Sequence, residues 1–425
     1  MPETRAFLLV KTLQPQGAYR QQMHERDSRP IESELLVDEP GTIIEKAELT
    51  EEEAEDRRSD ARPHVLSVEE DVIVREHPVE VVDAEPAEAP SYAGSYVTAD
   101  VLRVMGIDKL YDAGRMGQGE TIGVVDTPYH MDSLNRLFGD RLKGAQDFSG
   151  DGIDGPKGTH GTFCAIYATP PRANLLVASG LGLNGSGRTS GCIAAARWLA
   201  DNGATHISAS LGSDGTSPAW EALSNALKER GITFGASAGN DGCSGGDSVG
   251  SPGRYADYCT AASDHRTLAP ASFSSCGPDV DITAAGVRVQ LSSGDPELDS
   301  RAWSGTSMSC PVDIHGVACV DSGELGRERT LQLVLGKALD TDAPVHREGN
   351  GWFHGAAYAA ALAAPPAPPA PAPSPSPEPA PAPPGERREL STWKFCRGSY
   401  QYSGQRLRLK NKRGDAWDCE PLPKA

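Results

Sequence analysis

Between residues 96 and 363 short apolar runs alternate with stretches of helical period, and this alternation leaves few architectures open. Thr121 to Val125 (Thr-Ile-Gly-Val-Val) is a short apolar run, as a strand buried on both faces would be. Ala173 to Ser179, Ile207 to Leu211 and Ile232 to Ala236 read the same way. Helical periods fit Cys192 to Asn202, Pro218 to Arg230 and the segment after Ser307. Such alternation predicts an α/β fold, a mostly parallel sheet flanked by helices. Gly- and Ser-rich loops follow the strands, at the end where ligands bind in sheets of this kind.

Composition breaks divide the 425 residues into five stretches. Residues 1–83 form an acidic α+β region, in which Ala6 to Lys11, Ser33 to Val37 and His64 to Val74 read as strands. Thr50 to Ser59 reads as a helix with a Thr N-cap and acids in its first turn. Residues 84–98 read as a linker, 99–363 as the large domain, 364–384 as a Pro/Ala spacer and 385–425 as a small basic tail with β character. The spacer carries twelve prolines, so it is expected to be an extended polyproline helix of roughly 60 Å. In the tail, Gln405 to Lys410 alternates like a strand, and a Cys396–Cys419 bridge would steady it.

Charge and cysteine usage exclude several classes of function. Residues 1–95 hold ten Lys/Arg against 23 Asp/Glu within a net charge of −19, which argues against nucleic acid as the main partner. No apolar run reaches the roughly 18 residues of a membrane span. The run Ala-Phe-Leu-Leu-Val near the start is too short for a signal-peptide core, so a cytoplasmic location is the default, with export by another route left open. Nine cysteines without Cys-x-x-Cys spacing make zinc an unattractive reading. Reduced thiols are the default, and Cys243 with Cys259 is one candidate bridge.

Four polar residues close strands or open helices inside the large domain. Asp126 ends the apolar run 121–125, where a buried carboxylate needs a partner. His160, in Gly158-Thr-His-Gly-Thr-Phe-Cys-Ala165, stands at the mouth of a helix-like run. Ser307, in Gly305-Thr-Ser-Met-Ser-Cys-Pro311, precedes a segment whose helical N-terminus favours a developing anion. Pro311 then has to lie in the first helical turn. Asn240, in Ser237-Ala-Gly-Asn-Asp-Gly242, offers an amide on a Gly-rich loop. Each has a bland alternative: a turn Asp, a structural His, a Ser N-cap, a left-handed turn Asn. Together they supply an orienting acid, a base, a nucleophile and an oxyanion donor.

In this order the segments resemble the subtilisin-like serine peptidases, the subtilases, over roughly residues 100–362. Ser210-Leu211-Gly212 resembles that family's substrate-pairing strand, and Ala238-Gly-Asn240 its oxyanion asparagine. Phe273-Ser-Ser-Cys-Gly277 and Gly349-Asn-Gly-Trp352 are further matches. Departures are Asp-Thr-Pro after the strand, Phe163-Cys164, Ala284-Ala-Gly286, and Asp313 and His315 in the segment after Ser307. The resemblance implies a three-layer subtilisin-like fold and a front region similar to a propeptide, cut somewhere in 77–100. It implies catalysis by Asp126, His160 and Ser307, with Asn240 and the Ser307 N–H holding the oxyanion. Substrate would add a strand beside Ser210, Leu211 and Gly212, with 236–240 as a second wall and Ser179-Gly-Leu-Gly182 as the opposite strand.

The expected function is therefore that of a serine endopeptidase. The expected partners are protein or peptide substrates, with no nucleic acid, no membrane span and a monomeric state. An inactive binding protein on the same fold and a peptide ligase using the same acyl-enzyme are the alternatives. No metal or other cofactor is expected. Calcium sites are frequent in the family, and the acidic loop Asp147 to Asp154 invites one, but an acidic Gly-rich loop is more often simply solvated.

Overall fold

The computed structural model describes residues 4–12, 33–39, 42–59, 65–85, 87–364, 407–413 and 416–421. They fall into two compact units, Met1–Pro365 and Pro366–Ala425. The spacer beyond residue 364 and Cys396 lie outside the described residues. So does the side chain of Cys419. The second unit contributes an antiparallel strand pair. Among the described residues no helix is long and apolar enough to cross a membrane.

The strands of the first unit run in chain order as follows. The front region supplies β1 (Arg5–Thr12), β2 (Ser33–Glu39), β3 (Thr42–Leu49), β4 (Val65–Glu70), β5 (Ile73–Glu76) and β6 (Glu80–Asp83). The large domain supplies β7 (Thr121–Asp126), β8 (Leu142–Asp147), β9 (Asn174–Ser179), β10 (Ser186–Arg188) and β11 (His206–Ala209). It continues with β12 (Leu211–Gly212), β13 (Thr233–Ser237), β14 (Tyr258–Ser263), β15 (Ile282–Ala285) and β16 (Arg301–Ser304).

Seven strands build the central sheet in the order β15-β14-β13-β11-β7-β9-β8. Every neighbouring pair is parallel. The inner strands β7, β11 and β13 are almost wholly buried, because helices cover both faces. One buried cluster packs the helices His160–Ala168 and Thr306–Asp321 against the sheet; a second packs Thr189–Asp201 and Pro218–Glu229. The C-terminal ends of β7, β11 and β13 bring Asp126, Ser210 and the 238–242 loop to one edge.

The front region is a four-stranded antiparallel sheet, β2-β3-β1-β4. Alternation along β1 sends Phe7 and Leu9 to one face, where they meet Ala54 of the helix Glu51–Ser59. Leu8 and Val10 face the other way, into the cluster containing Trp220 and Leu223. Thr50 and Glu53 form a reciprocal capping box, with Glu53 N–H donating to Thr50 Oγ1 at 3.2 Å and Thr50 N–H to Glu53 Oε2 at 2.9 Å. Two acids tie this sheet to the large domain by capping its helices. Glu69 accepts from the N–H of Ala219 at 2.7 Å, and Asp71 accepts from the N–H of Ser190 at 2.9 Å. The predicted strand 64–74 breaks at Asp71 because that side chain serves the helix, and the chain then changes sheet.

Two expectations need correction. The disulfide joins Cys243 to Cys276, not to Cys259. Cys259 lies on β14, fully buried against Ala238, Val249 and Val280. The loops carrying Cys243 and Cys276 are instead laced together by Gly242 N–H to Phe273 O and Ser248 N–H to Cys276 O, each 2.8 Å. Pro311 lies in the second turn of the helix Thr306–Asp321, not the first. Its missing N–H would have bonded the Ser307 carbonyl. That carbonyl is served by Ser210 Oγ at 3.0 Å and Cys164 Sγ at 3.5 Å, so the helix continues through the proline.

Candidate active site

Asp126 closes β7 and has no exposed surface. Its Oδ1 accepts from His160 Nδ1 at 2.7 Å and from the Thr127 N–H at 2.7 Å. The imidazole is the first residue of its helix, held there by Thr159 at the N-cap and by Gly161 N–H donating to Thr127 Oγ1. Because Nδ1 donates to a carboxylate, the neutral ring leaves Nε2 as its acceptor. That atom is buried and has no hydrogen-bond partner among the described residues. Burial works against charge on His160, but the charge and hydrogen bond of Asp126, together with Cys164 beside the ring, hold the imidazole well above its ordinary range.

Ser307 is the second residue of its helix, and Gly305 is the N-cap, so the serine is not a cap. Its Oγ donates to the carbonyl of Ser210 at 3.4 Å, while Ser210 Oγ donates back to the Ser307 carbonyl. Cys164 Sγ reaches both the Ser307 carbonyl at 3.5 Å and His160 Nδ1 at 3.8 Å, tying the His160 helix to the Ser307 helix. Asn240 has an ordinary backbone, not the left-handed one of a turn asparagine. Its Oδ1 accepts from Thr306 N–H at 2.9 Å and Thr306 Oγ1 at 2.8 Å. This fixes the amide so that Nδ2 points into the cleft, where it donates to the Pro78 carbonyl at 2.6 Å.

The chain itself runs through the cleft. β5 pairs antiparallel with β12 on one side, Leu211 opposite Glu76 and Gly212 opposite Arg75, and with β10 on the other. β6 then pairs with β16. The stretch from Ile73 to Asp83 is therefore a strap laid across the site with main-chain pairing on both flanks. Val74 is buried in the cluster containing Leu181 and Leu211. Glu76 Oε2 lies 3.7 Å from His160 Nδ1, and His77 Nδ1 lies 2.8 Å from Ser237 Oγ. The strap packs directly on the bare backbone of Gly305, where an added Cβ would sit 2.7 Å from Val79 Cγ1 and 3.2 Å from Asn240 Nδ2. The strand opposite Ser210-Leu211-Gly212 is 186–188, and Ser179-Gly-Leu-Gly182 stands behind it, with Leu181 bridging Gly187.

Asp313 and His315 point away from this cleft. Asp313 Oδ2 accepts from Thr260 Oγ1 on β14 at 2.9 Å. His315 bonds the Tyr167 carbonyl through Nδ1 at 3.0 Å and the Tyr111 hydroxyl through Nε2 at 2.5 Å. Burial keeps both neutral, raising the Asp313 carboxyl to about 8 and lowering the His315 imidazole to about 4.

Asp126, His160 and Cys164 place ligand atoms within 4.8 Å of one another, but burial pushes the thiol up to about 11 and Nδ1 is committed to Asp126. In the acidic loop, Asp147 accepts from Ser149, Ser179, Gly150 and Gly152, Asp151 from Leu183 N–H, and Asp154 from Met131 N–H. These bonds organise the loop.

Sequence reasoning missed His77, Pro78, Ser237, Thr306 and Cys164. In the sequence the strap reads as the end of the strand 64–74 and the close of the acidic front region, and its partners lie more than a hundred residues away.

Comparison with known proteins adds independent support. The sequence model of the Subtilase family matches residues 117–351, over half of the chain. Alkaline serine exoprotease A of Vibrio alginolyticus is 30% identical over 321 residues, covering 71% of this chain and 57% of that protein. M-protease of Shouchella clausii is 33% identical over 220 residues, covering 49% and 56%. Subtilisin Savinase of Lederbergia lenta is 33% identical over 211 residues, covering 47% and 76%. The chain thus spans little more than half the length of the first two. With its seven-stranded parallel sheet and helices on both faces, the chain belongs to the subtilase family.

Proposed function

We propose that this chain is a serine endopeptidase acting through Asp126, His160 and Ser307. The observation that carries the reading is the buried Asp126–His160 pair, 2.7 Å long, whose ring is tied by Cys164 to the helix of Ser307. With a substrate in place of the strap, Ser307 Oγ leaves the Ser210 carbonyl and gives its proton to His160 Nε2 as it attacks the scissile carbonyl. Asp126 holds the ring's tautomer and stabilises the imidazolium. Asn240 Nδ2, pre-aimed by Thr306, and the Ser307 N–H take the oxyanion. His160 then protonates the leaving amine, and water resolves the acyl-enzyme by the same route. No step calls on a cofactor.

The substrate would lie where the strap lies, hydrogen-bonded to β12 and β10. The front region then serves as a prosegment that fills the cleft until it is cut. The test is hydrolysis of an unstructured protein such as casein by the processed chain and by the Ser307→Ala, His160→Ala and Asp126→Ala variants. The wild type should yield new amino termini. Each variant should lose at least about three orders of magnitude in kcat. Undiminished hydrolysis by any of them would overturn the assignment, and products joined to an added amine would point to a ligase.

A further inference from the structure

The strap shows more than where a substrate lies, because its side chains report what the cleft accepts. After Glu76 the strand leaves its pairing and the next side chain, His77, turns into a recess. Ser237 Oγ, at the end of β13, meets the ring at Nδ1 at 2.8 Å. Gly212 lines the other side so closely that an added Cβ would lie 2.5 Å from His77 Nε2. That same position lies 3.2 Å from the Ser251 carbonyl. The recess is thus a slot of bare backbone at Gly212 with one hydroxyl at its wall, and a planar ring with a polar edge fills it.

We propose that this slot, bounded by Gly212, Ser237 and Ser251, selects histidine in the substrate, with Ser237 Oγ as the group that recognises the imidazole. The inference rests on the endopeptidase reading and names its substrate class. With His77 in the slot Ser237 is 1% exposed and the imidazole is its hydroxyl's partner, so an apolar side chain seated there would shut out water and leave that hydroxyl bare. A hydroxyl both donates and accepts, and so serves either nitrogen state of a neutral imidazole. Phenylalanine or leucine would fill the volume and leave the hydroxyl unpaired, the situation in which a site built for a hydrogen bond rejects an isostere. Burial, reinforced by the charge of His160, lowers His77 to about 4, so the ring is held neutral. A lysine or arginine would bring charge into the same desolvated slot beside His160.

The test uses hexapeptides Val-Arg-Glu-X-Ala-Val, patterned on the strap with alanine in place of Pro78 and X as His, Phe, Leu or Lys. The processed chain is assayed by mass spectrometry for cleavage after X or after the alanine that follows it, whose counterpart Pro78 has its carbonyl on Asn240 Nδ2. The expected kcat/KM for X as His exceeds that for Phe or Leu by about tenfold or more, and Lys is cut more slowly still. Ser237→Ala should bring the His/Phe ratio to about one. This ratio is internal to each preparation, so a partly folded variant does not distort it. Equal or faster cleavage of the Phe peptide by the wild type, or a His preference surviving in Ser237→Ala, would overturn the pocket while leaving the endopeptidase reading intact. Failure to cut any of the peptides or casein would overturn both.

Discussion

Asp313 offers a test of the buried chemistry behind the Ser307 helix. It has no exposed surface, and one oxygen is bonded to Thr260 while Oδ1 has no partner among the described residues. Burial raises its carboxyl to about 8; the Thr260 bond pulls it back and the nearby Asp281 pushes it up. In the unfolded chain the same group titrates near 4. The native state therefore keeps a proton that the unfolded state releases, and stability falls as pH rises from about 4 towards 8. At about 1.4 kcal/mol per unit, the accumulated cost at pH 7 is on the order of 4 kcal/mol. Asn at this position accepts from Thr260 as well and cannot ionise. In a Ser307→Ala background, which prevents self-digestion, Asp313→Asn should match the parent at pH 4. It should gain on the order of 4 kcal/mol by pH 7 in urea titrations followed by tryptophan fluorescence. Asp281, raised to about 7 by its own burial, leaves a slope common to both proteins. A difference between them that stays constant with pH would refute the reasoning.

Other consequences follow from the cleft. Pro78 stands in the cleft with its carbonyl on Asn240 Nδ2, and its ring fixes the backbone of the strap there. Pro78→Ala should shorten the lifetime of the full-length chain, read by gel and N-terminal sequencing; an unchanged lifetime would contradict this. Thr306→Val removes one of the two bonds that aim Asn240, and kcat should fall several-fold with little change in KM. A rise in KM alone would assign Thr306 to substrate binding instead. Because Asp126 holds His160 above its ordinary value and the base acts when neutral, the rising limb of kcat/KM should break above pH 6.5. A break below 6 would mean that the ring is not paired with Asp126 in the working enzyme.

The parallel sheet was legible because its inner strands, such as Thr121 to Val125, are continuous apolar runs. β14 and β15 escaped notice because Tyr-Cys-Thr-Ala-Ala-Ser and Ile-Thr-Ala-Ala carry small residues without a strand signature. Asp126, His160, Ser307 and Asn240 could be picked out because each stands beside glycine or at the end of a run. What they touch could not. Asn240 needs Thr306 to aim its amide, and the Ser307 carbonyl needs Ser210 because Pro311 withholds an N–H. Such partners are set by tertiary packing, as is the choice of Cys276 over Cys259. Asp313 and His315 look out of place in an apolar helix until Thr260, Tyr111 and Tyr167 come beside them.

The central claim is that Ser307 is the nucleophile, activated by His160 and Asp126. The most direct measurement is the site of covalent attachment of a fluorophosphonate probe on the processed protein, mapped by mass spectrometry of its peptides. The account predicts a single adduct on Ser307, absent from Ser307→Ala and strongly slowed in His160→Ala. An adduct on another serine, or labelling that persists in Ser307→Ala, would contradict it.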